Sequence, residues 1–240
     1  MNSPYGLSCV KNCLSVILRS ESFFCSLPKE SLEVFDRITK VVAFPAGAVV
    51  FMEGETPHGI YMLCQGQVRF STTSRDGKTF ILRIAKAGEV LGLHGTVTGK
   101  LHEVTVETMQ ACQLNFVSRE DFLLFLKEHS DACLHAAEQV ICDCQDAYDV
   151  VRSLALSHSV SARVAKFLIA SATDGEHTDG IIRATLALTH EEIAQIVGAS
   201  RETIARIMSE LRKKQLLELH NPALIIYNKT ALEQLVLPTS

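Results

Sequence analysis

LTHEEIAQIVGASRETIARIMSELRKKQLL, residues 188–217, falls into two helical blocks, each with its own start signal. Thr189 followed three residues later by Glu192 has the form of a capping box, in which hydroxyl and carboxylate satisfy free backbone N–H groups at a helix start. Ile193, Ile196 and Val197 then give this block an apolar face, and Gly198 ends it. Ser200 is placed to cap the second block, in which Ile204, Ile207, Met208 and Leu211 recur at three and four residues and so share one side. Arg201, Glu202, Ala205 and Arg206 point elsewhere, near the N-terminus of that helix. Two helices joined by a three- to four-residue turn containing Gly predict a helix-turn-helix. In that motif the N-terminal residues of the second helix meet base edges in the major groove of double-stranded DNA. Residues 201–214 hold Arg201, Arg206, Arg212, Lys213 and Lys214 against Glu202 and Glu210. That local patch attracts phosphates, which the whole chain, at a net charge of −4, does not.

Outward from this motif the texture changes twice. Downstream, LLELHNPALIIY (216–227) sets two apolar runs about Asn221-Pro222, as a hairpin wing does. Upstream, from about Arg119, Leu134, Ala137, Ile141, Cys144, Tyr148, Val151 and Ala155 recur at three or four residues with no Gly or Pro between them, predicting one long helix. Its other sides carry Glu138, Asp143, Asp146, Asp149 and Arg152, so the apolar stripe is narrow, like a coiled-coil seam joining two copies of the chain. The alternative is a helix lying along its own sheet. From Val41 to about Phe116 the chain runs in short β-rich pieces such as GIYMLCQGQVRFST, with Gly47, Gly54, Gly66, Gly77 and Gly88 at the corners, which predicts an antiparallel β-roll. The fold class is therefore α+β. The divisions expected are a Cys-containing extension (1–21), a sensor roll (22–118), a dimerisation helix region (119–157) and a winged helix-turn-helix (158–240). With 240 residues, 47% apolar and 21% charged, the composition is that of a folded globular chain. No window approaches a membrane span and MNSPYGLSCVKNCLSV has no export pattern, so a cytoplasmic protein without membrane contact is expected.

The run QIVGASRETIAR (195–206) closely resembles the recognition motif of the cyclic-AMP receptor protein/FNR (Crp/Fnr) family of bacterial transcription regulators. The resemblance extends to the roll (PAGAVVFMEGETPHGIYMLCQGQVRF and KAGEVLGL), the long helix and the winged C-terminus, from about Ser22 onward. It implies a homodimer that binds double-stranded DNA and works with RNA polymerase as an activator or repressor. Carried over by position, Arg201, Glu202 and Arg206 take the three base-reading places. An Arg fork matches guanine O6 and N7 and a carboxylate accepts from cytosine N4, so this trio suits a TGTGA-like half-site. A surface ion pair between Glu202 and Arg206 would explain two of the three and leave Arg201 unaccounted for. Thr189, Ser200, Thr203 and Lys214 are expected on phosphates, fixing register without reading sequence.

The sensor half reads differently. Members that bind cyclic nucleotides carry a Glu for the ribose and an Arg-Ser pair for the cyclic phosphate in the segment matching GLHGTVTGKLHEVTV; here Leu93 replaces the Glu and His102-Glu103 the pair, with Glu103 set to repel a phosphate. Cyclic AMP is therefore not the expected effector. The FNR type uses Cys residues to ligate an oxygen-labile iron-sulfur cluster, and here Cys9, Cys13 and Cys25 precede the roll while Cys112 falls at the place of the internal ligand. Cys-x3-Cys-x11-Cys is looser than that family set, and Cys112 equally matches a thiol merely packed in the roll. Cys64 reads as a packed strand residue, and Cys133, Cys142 and Cys144 lie on the long helix. His94 and His102 stand in the ligand region as alternative anchors for haem or an anion, but no metal site is assigned. An iron-sulfur or thiol redox enzyme is the reading from another class; the chain has no nucleophile elbow, no Gly-rich phosphate loop after a strand and no metal-binding His pair at helical spacing to carry it.

Overall fold

A computed structural model of the chain describes Tyr5, Leu7, residues 27–157 and residues 159–236. Alternation of apolar and polar residues builds the first unit. Its strands are β1 (Lys40–Phe44), β2 (Val49–Phe51), β3 (Gly59–Gln65), β4 (Gln67–Thr73), β5 (Thr79–Lys86), β6 (Val90–Leu91), β7 (Thr105–Thr108) and β8 (Cys112–Ser118). They pair antiparallel in two four-stranded sheets, ordered β1-β8-β3-β6 and β2-β7-β4-β5. Leu63, Leu91, Cys112 and Leu114 from the first sheet meet Phe51, Val68, Phe70, Ala85 and Val106 from the second in one buried cluster, the interior of the predicted roll. Because side chains alternate along a strand, the other face of the first sheet presents Ile60, Met62, Cys64 and Val117 to a second core. Helices cover that core: α1 (Lys29–Ile38) supplies Leu32 and Phe35, while α2 (Leu93–Thr98) supplies Leu93. The five corner glycines all adopt positive φ. Gly66, between β3 and β4, also has no room for a side chain, since a Cβ there would lie 2.4 Å from the Cys112 Sγ.

The single helix expected from Arg119 is two. In α3 (Arg119–Glu128) the Ser118 hydroxyl caps the start, accepting from the Asp121 N–H at 3.2 Å. At His129 the backbone turns extended (φ −124°, ψ 93°), the imidazole packs on Phe125 at 4.6 Å, and Nδ1 meets the Ser31 hydroxyl at 2.9 Å. Helix α4 (Ser130–Leu156) then restarts, and its Ala132 and Ala136 join Phe122 and Phe125 in the same core. Arg83 of β5 stacks over the Phe70 ring at 4.1 Å, pairs with Glu89 and reaches Asp143 at 3.4 Å, tying the roll to α4. Contacts divide the chain into two compact units, Met1–Asp146 and Ala147–Ser240, the division falling inside α4.

The second unit comprises α5 (Val160–Ser171), β9 (Glu176–Thr178), β10 (Ile181–Thr185), α6 (His190–Val197), α7 (Arg201–Lys213), β11 (Leu217–His220), β12 (Ala223–Ile226) and α8 (Lys229–Val236). The predicted hairpin is β11–β12, with Leu219 opposite Leu224. It is half of a four-stranded sheet, β11-β12-β10-β9, whose other hairpin the sequence reading did not include. Helix α8 packs against α5 and buries Leu232.

Candidate nucleic-acid interface

Both start signals form as read from the sequence. The Glu192 N–H donates to the Thr189 hydroxyl at 3.2 Å and the Thr189 N–H donates to the Glu192 carboxylate at 2.8 Å, completing the capping box. Gly198 ends α6 in the left-handed region (φ 66°, ψ 51°), which a glycine enters at no steric cost. Ser200 then caps α7, its hydroxyl accepting from the Thr203 N–H at 3.2 Å. Caps, turn and period together set the faces of α7. Ile204, Ile207, Met208 and Leu211 are buried, while Arg201, Glu202, Ala205 and Arg206 are exposed.

One positioning residue escaped the sequence reading. Arg163 of α5 donates from Nε to the Val197 carbonyl at 2.7 Å, and its Nη2 approaches the Gly198 carbonyl at 3.5 Å. A guanidinium thus occupies carbonyls that the end of α6 leaves without intrahelical partners, holding the turn that orients α7. Its partner lies 34 residues away, so no local pattern announces it.

The exposed face of α7 has a defined charge state. Its own backbone N–H, then the Ser200 hydroxyl, hold the Glu202 carboxyl below its ordinary range, with the Arg201 charge adding to the fall. Among the described residues no ion pair joins Glu202 to Arg206, leaving both for other partners. Ser200 and Thr203 sit beside Arg201 at one end of α7, and Lys214 stands at its C-cap. Thr189 shares an open cavity with His190, Glu191 and Arg201.

Two family models match on either side of α4: residues 41–129 fit the cyclic nucleotide-binding domain and residues 162–235 the Crp-like helix-turn-helix domain, together more than half of the chain. The chain belongs to the Crp/Fnr family. As a Crp/Fnr protein it is a DNA-binding transcription regulator with a cyclic nucleotide-binding domain, in a family of regulators rather than enzymes. It is 27% identical to the cAMP-activated global transcriptional regulator CRP of Pasteurella multocida, over 82% of this chain and 94% of that one. In structure it resembles a CooA mutant from Carboxydothermus hydrogenoformans (TM-score 0.75, 19% identity, 96% of this chain and 97% of that one). It also resembles the c-di-GMP responsive global regulator CLP of Xanthomonas campestris (TM-score 0.73, 22% identity, 84% of this chain and 100% of that one).

In this Crp/Fnr protein the three residues considered for nucleotide binding, Leu93, His102 and Glu103, differ in their surroundings. Leu93 is buried in the core shared with α3 and α4. His102 is 7% exposed, and its ring stacks on Phe51 at 3.9 Å. Burial lowers the His102 pKa, with Glu55 opposing and His58 adding to the fall, so the ring is neutral at neutral pH. Glu103 departs from the expectation that it faces the pocket: it is exposed and meets His94 Nδ1 at 3.6 Å. Among the neighbouring guanidiniums, Arg69 is held by Glu107 at 2.8 Å, Arg83 by Glu89 and Asp143, and Arg119 by the Thr96 carbonyl at 2.9 Å.

Of the four Cys considered for a cluster, Cys9, Cys13 and Cys25 lie outside the described residues. Cys112 does not fit a cluster ligand. It is buried inside the roll, its thiol donates to the Gln67 and Gln110 carbonyls at 3.4 and 3.2 Å, and burial pushes its pKa up, away from the thiolate that iron requires. Cys64 is packed as expected but is also disulfide-bonded. It belongs to the helix-side core and Cys112 to the roll interior, on opposite faces of one sheet. Among the described residues no group of three His, Cys, Asp or Glu is arranged for a metal ion, and no helix is long and apolar enough to cross a membrane. The predicted seam residues Leu134, Ala137, Ile141, Cys144, Tyr148 and Val151 are all exposed along α4.

Proposed function

We propose that the chain is a homodimeric regulator that reads a palindrome of TGTGA-like half-sites and is not controlled by cyclic AMP. The carrying observation is the division of α7: its apolar residues are spent inside the second unit, while Arg201, Glu202 and Arg206 stand together on the exposed face. Arg201 and Arg206 fork onto guanines, and Glu202 accepts from a cytosine amino group. Thr189, Ser200, Thr203 and Lys214 contact phosphates. The dimer is supported by the stripe at 134, 137, 141, 144, 148 and 151, a 3-4 repeat left uncovered within one chain. Residues 22–118 act as sensor and 158–240 as DNA reader, with RNA polymerase as the partner that turns occupancy into transcription in the cytoplasm. Against cyclic AMP stand a buried Leu93 and a neutral His102 where a ribose acceptor and a cationic phosphate fork are needed. The relatives named above are described as cAMP-activated and c-di-GMP responsive, so this fold takes more than one effector.

The test is fluorescence anisotropy on a palindrome with half-sites one helical turn apart, beside random duplex. Arg201→Ala and Arg206→Ala should each cost about 1–3 kcal/mol on the palindrome and relax preference at one guanine. Lys214→Ala should weaken both duplexes alike and reduce the salt slope by about one. Equal losses on both duplexes for all three variants would remove the assignment, and a nucleotide-dependent rise in melting temperature would remove the claim about cyclic AMP.

A second reading, redox control of the same regulator through thiols, is favoured by the disulfide at Cys64 and not by a cluster, given the packing of Cys112. DNA affinity measured with and without dithiothreitol tests it: no change removes it.

A further inference from the structure

The reading face of α7 contains one residue for which the proposed contacts have no use. Of the exposed residues of α7, Arg201, Glu202, Arg206, Glu210, Arg212 and Lys213 are charged, and Ala205 alone is apolar. Ala205 lies one turn beyond Arg201 and Glu202 and one turn before Ser209, so its methyl group is in the middle of the same face. Nothing in the second unit buries it. It stands at the edge of a small cavity that it shares with Met208, Ser209 and Arg212.

Helix and duplex geometry say what this methyl would meet. Arg201 and Arg206 are five residues apart, about 7.5 Å along the helix at a rise of 1.5 Å per residue. Base pairs are stacked at about 3.4 Å, so that distance is close to two steps. That spacing is compatible with two guanines that have one base pair between them, as in the G-T-G of a TGTGA half-site. Ala205 sits between the two arginines on the side that faces the groove. In the major groove thymine offers an O4 acceptor and a 5-methyl group, and alanine has nothing for the first but is a suitable apolar contact for the second.

We propose that Ala205 is a specificity residue that reads the 5-methyl group of the thymine lying between the two guanines. The inference rests on α7 being the groove helix and adds a base contact to it. Removing one methyl from an apolar contact costs roughly 0.8 kcal/mol, or about fourfold in affinity at 1.4 kcal/mol per factor of ten.

The experiment uses the full-length protein. A duplex recovered by selection from a randomised pool is prepared with each thymine in turn replaced by deoxyuridine, which removes only the 5-methyl group. Affinities are measured for the unaltered protein and for Ala205→Gly. The ratio of thymine to deoxyuridine affinity is taken within each protein, so any loss of helix stability in the glycine variant cancels. One thymine per half-site, between the two guanines, should give a ratio of about four with the unaltered protein and about one with Ala205→Gly. A flat scan with the unaltered protein overturns the inference, as does a ratio that survives in Ala205→Gly. Failure of the underlying DNA reading is distinguishable because it appears earlier, as a pool from which no sequence is enriched, and it removes the inference as well.

Discussion

Replacing Ile141 by Ala probes the proposed dimer through the middle of its exposed stripe. Fully burying an Ile side chain contributes about 1.5–3 kcal/mol. Ile141 is 57% exposed in one chain, so the part left for a partner to cover is worth roughly 0.9–1.7 kcal/mol. A two-fold axis makes every substitution act twice, which doubles the loss to roughly 1.7–3.4 kcal/mol per dimer. The alanine keeps its own methyl, which favours the lower part of that range, about 2 kcal/mol, or on the order of a 30-fold rise in the dimer dissociation constant. Sedimentation equilibrium over a concentration series measures it, with circular dichroism to verify that α4 persists. Arg152→Ala, off the stripe on the same helix, should leave the constant within about twofold, as most surface changes do. An Ile141→Ala protein that dimerises as tightly as the unaltered one, with its helix intact, would refute the seam.

Two further outcomes follow from groups already described. Arg163→Ala should destabilise the second unit by about 1–2 kcal/mol, since one short charge-assisted bond to the Val197 carbonyl is lost and the 3.5 Å approach to Gly198 contributes little; urea unfolding together with weaker specific DNA binding reports it, and unchanged values of both would exclude a positioning role. His102 has a folded-state pKa below its ordinary 6.5, so the unfolded chain binds more protons between the two values and stability is lost as pH falls through that window. Melting temperatures from about pH 5 to 7.5 should show this slope, and His102→Phe should flatten it, whereas an identical slope in the variant would assign the effect to other groups.

The parts legible in the sequence are those whose causes are local. The caps at Thr189 and Ser200, the glycine at 198 and the two faces of α7 are each set within four residues, and the structure repeats them as read. The helix of α4 and its exposed apolar stripe were legible for the same reason, because a 3-4 repeat is visible without knowing what covers it. The break at His129 was not, since apolar residues continue on either side of it and the Ser31 hydroxyl that meets its ring is 98 residues away. Strand β9 is Glu-His-Thr, exposed throughout, with no alternation to mark it. Glu103 was misplaced because it lies in a bend before β7, where no periodicity says which of His102 and Glu103 turns inward.

The two-sided pattern of α7 has a consequence for how such a protein diversifies. The residues that hold the helix in place, Ile204, Ile207, Met208 and Leu211, share no position with those that face outward, Arg201, Glu202, Ala205 and Arg206. Substitutions at exposed positions usually change stability by less than about 0.5 kcal/mol, while changes at buried ones cost several times that. A duplicated copy of this gene is therefore free to drift at the outward set and acquire new target sites while its fold stays under the same selection as before. Divergence between such copies should accumulate first at 201, 202, 205 and 206 and last at 204, 207, 208 and 211.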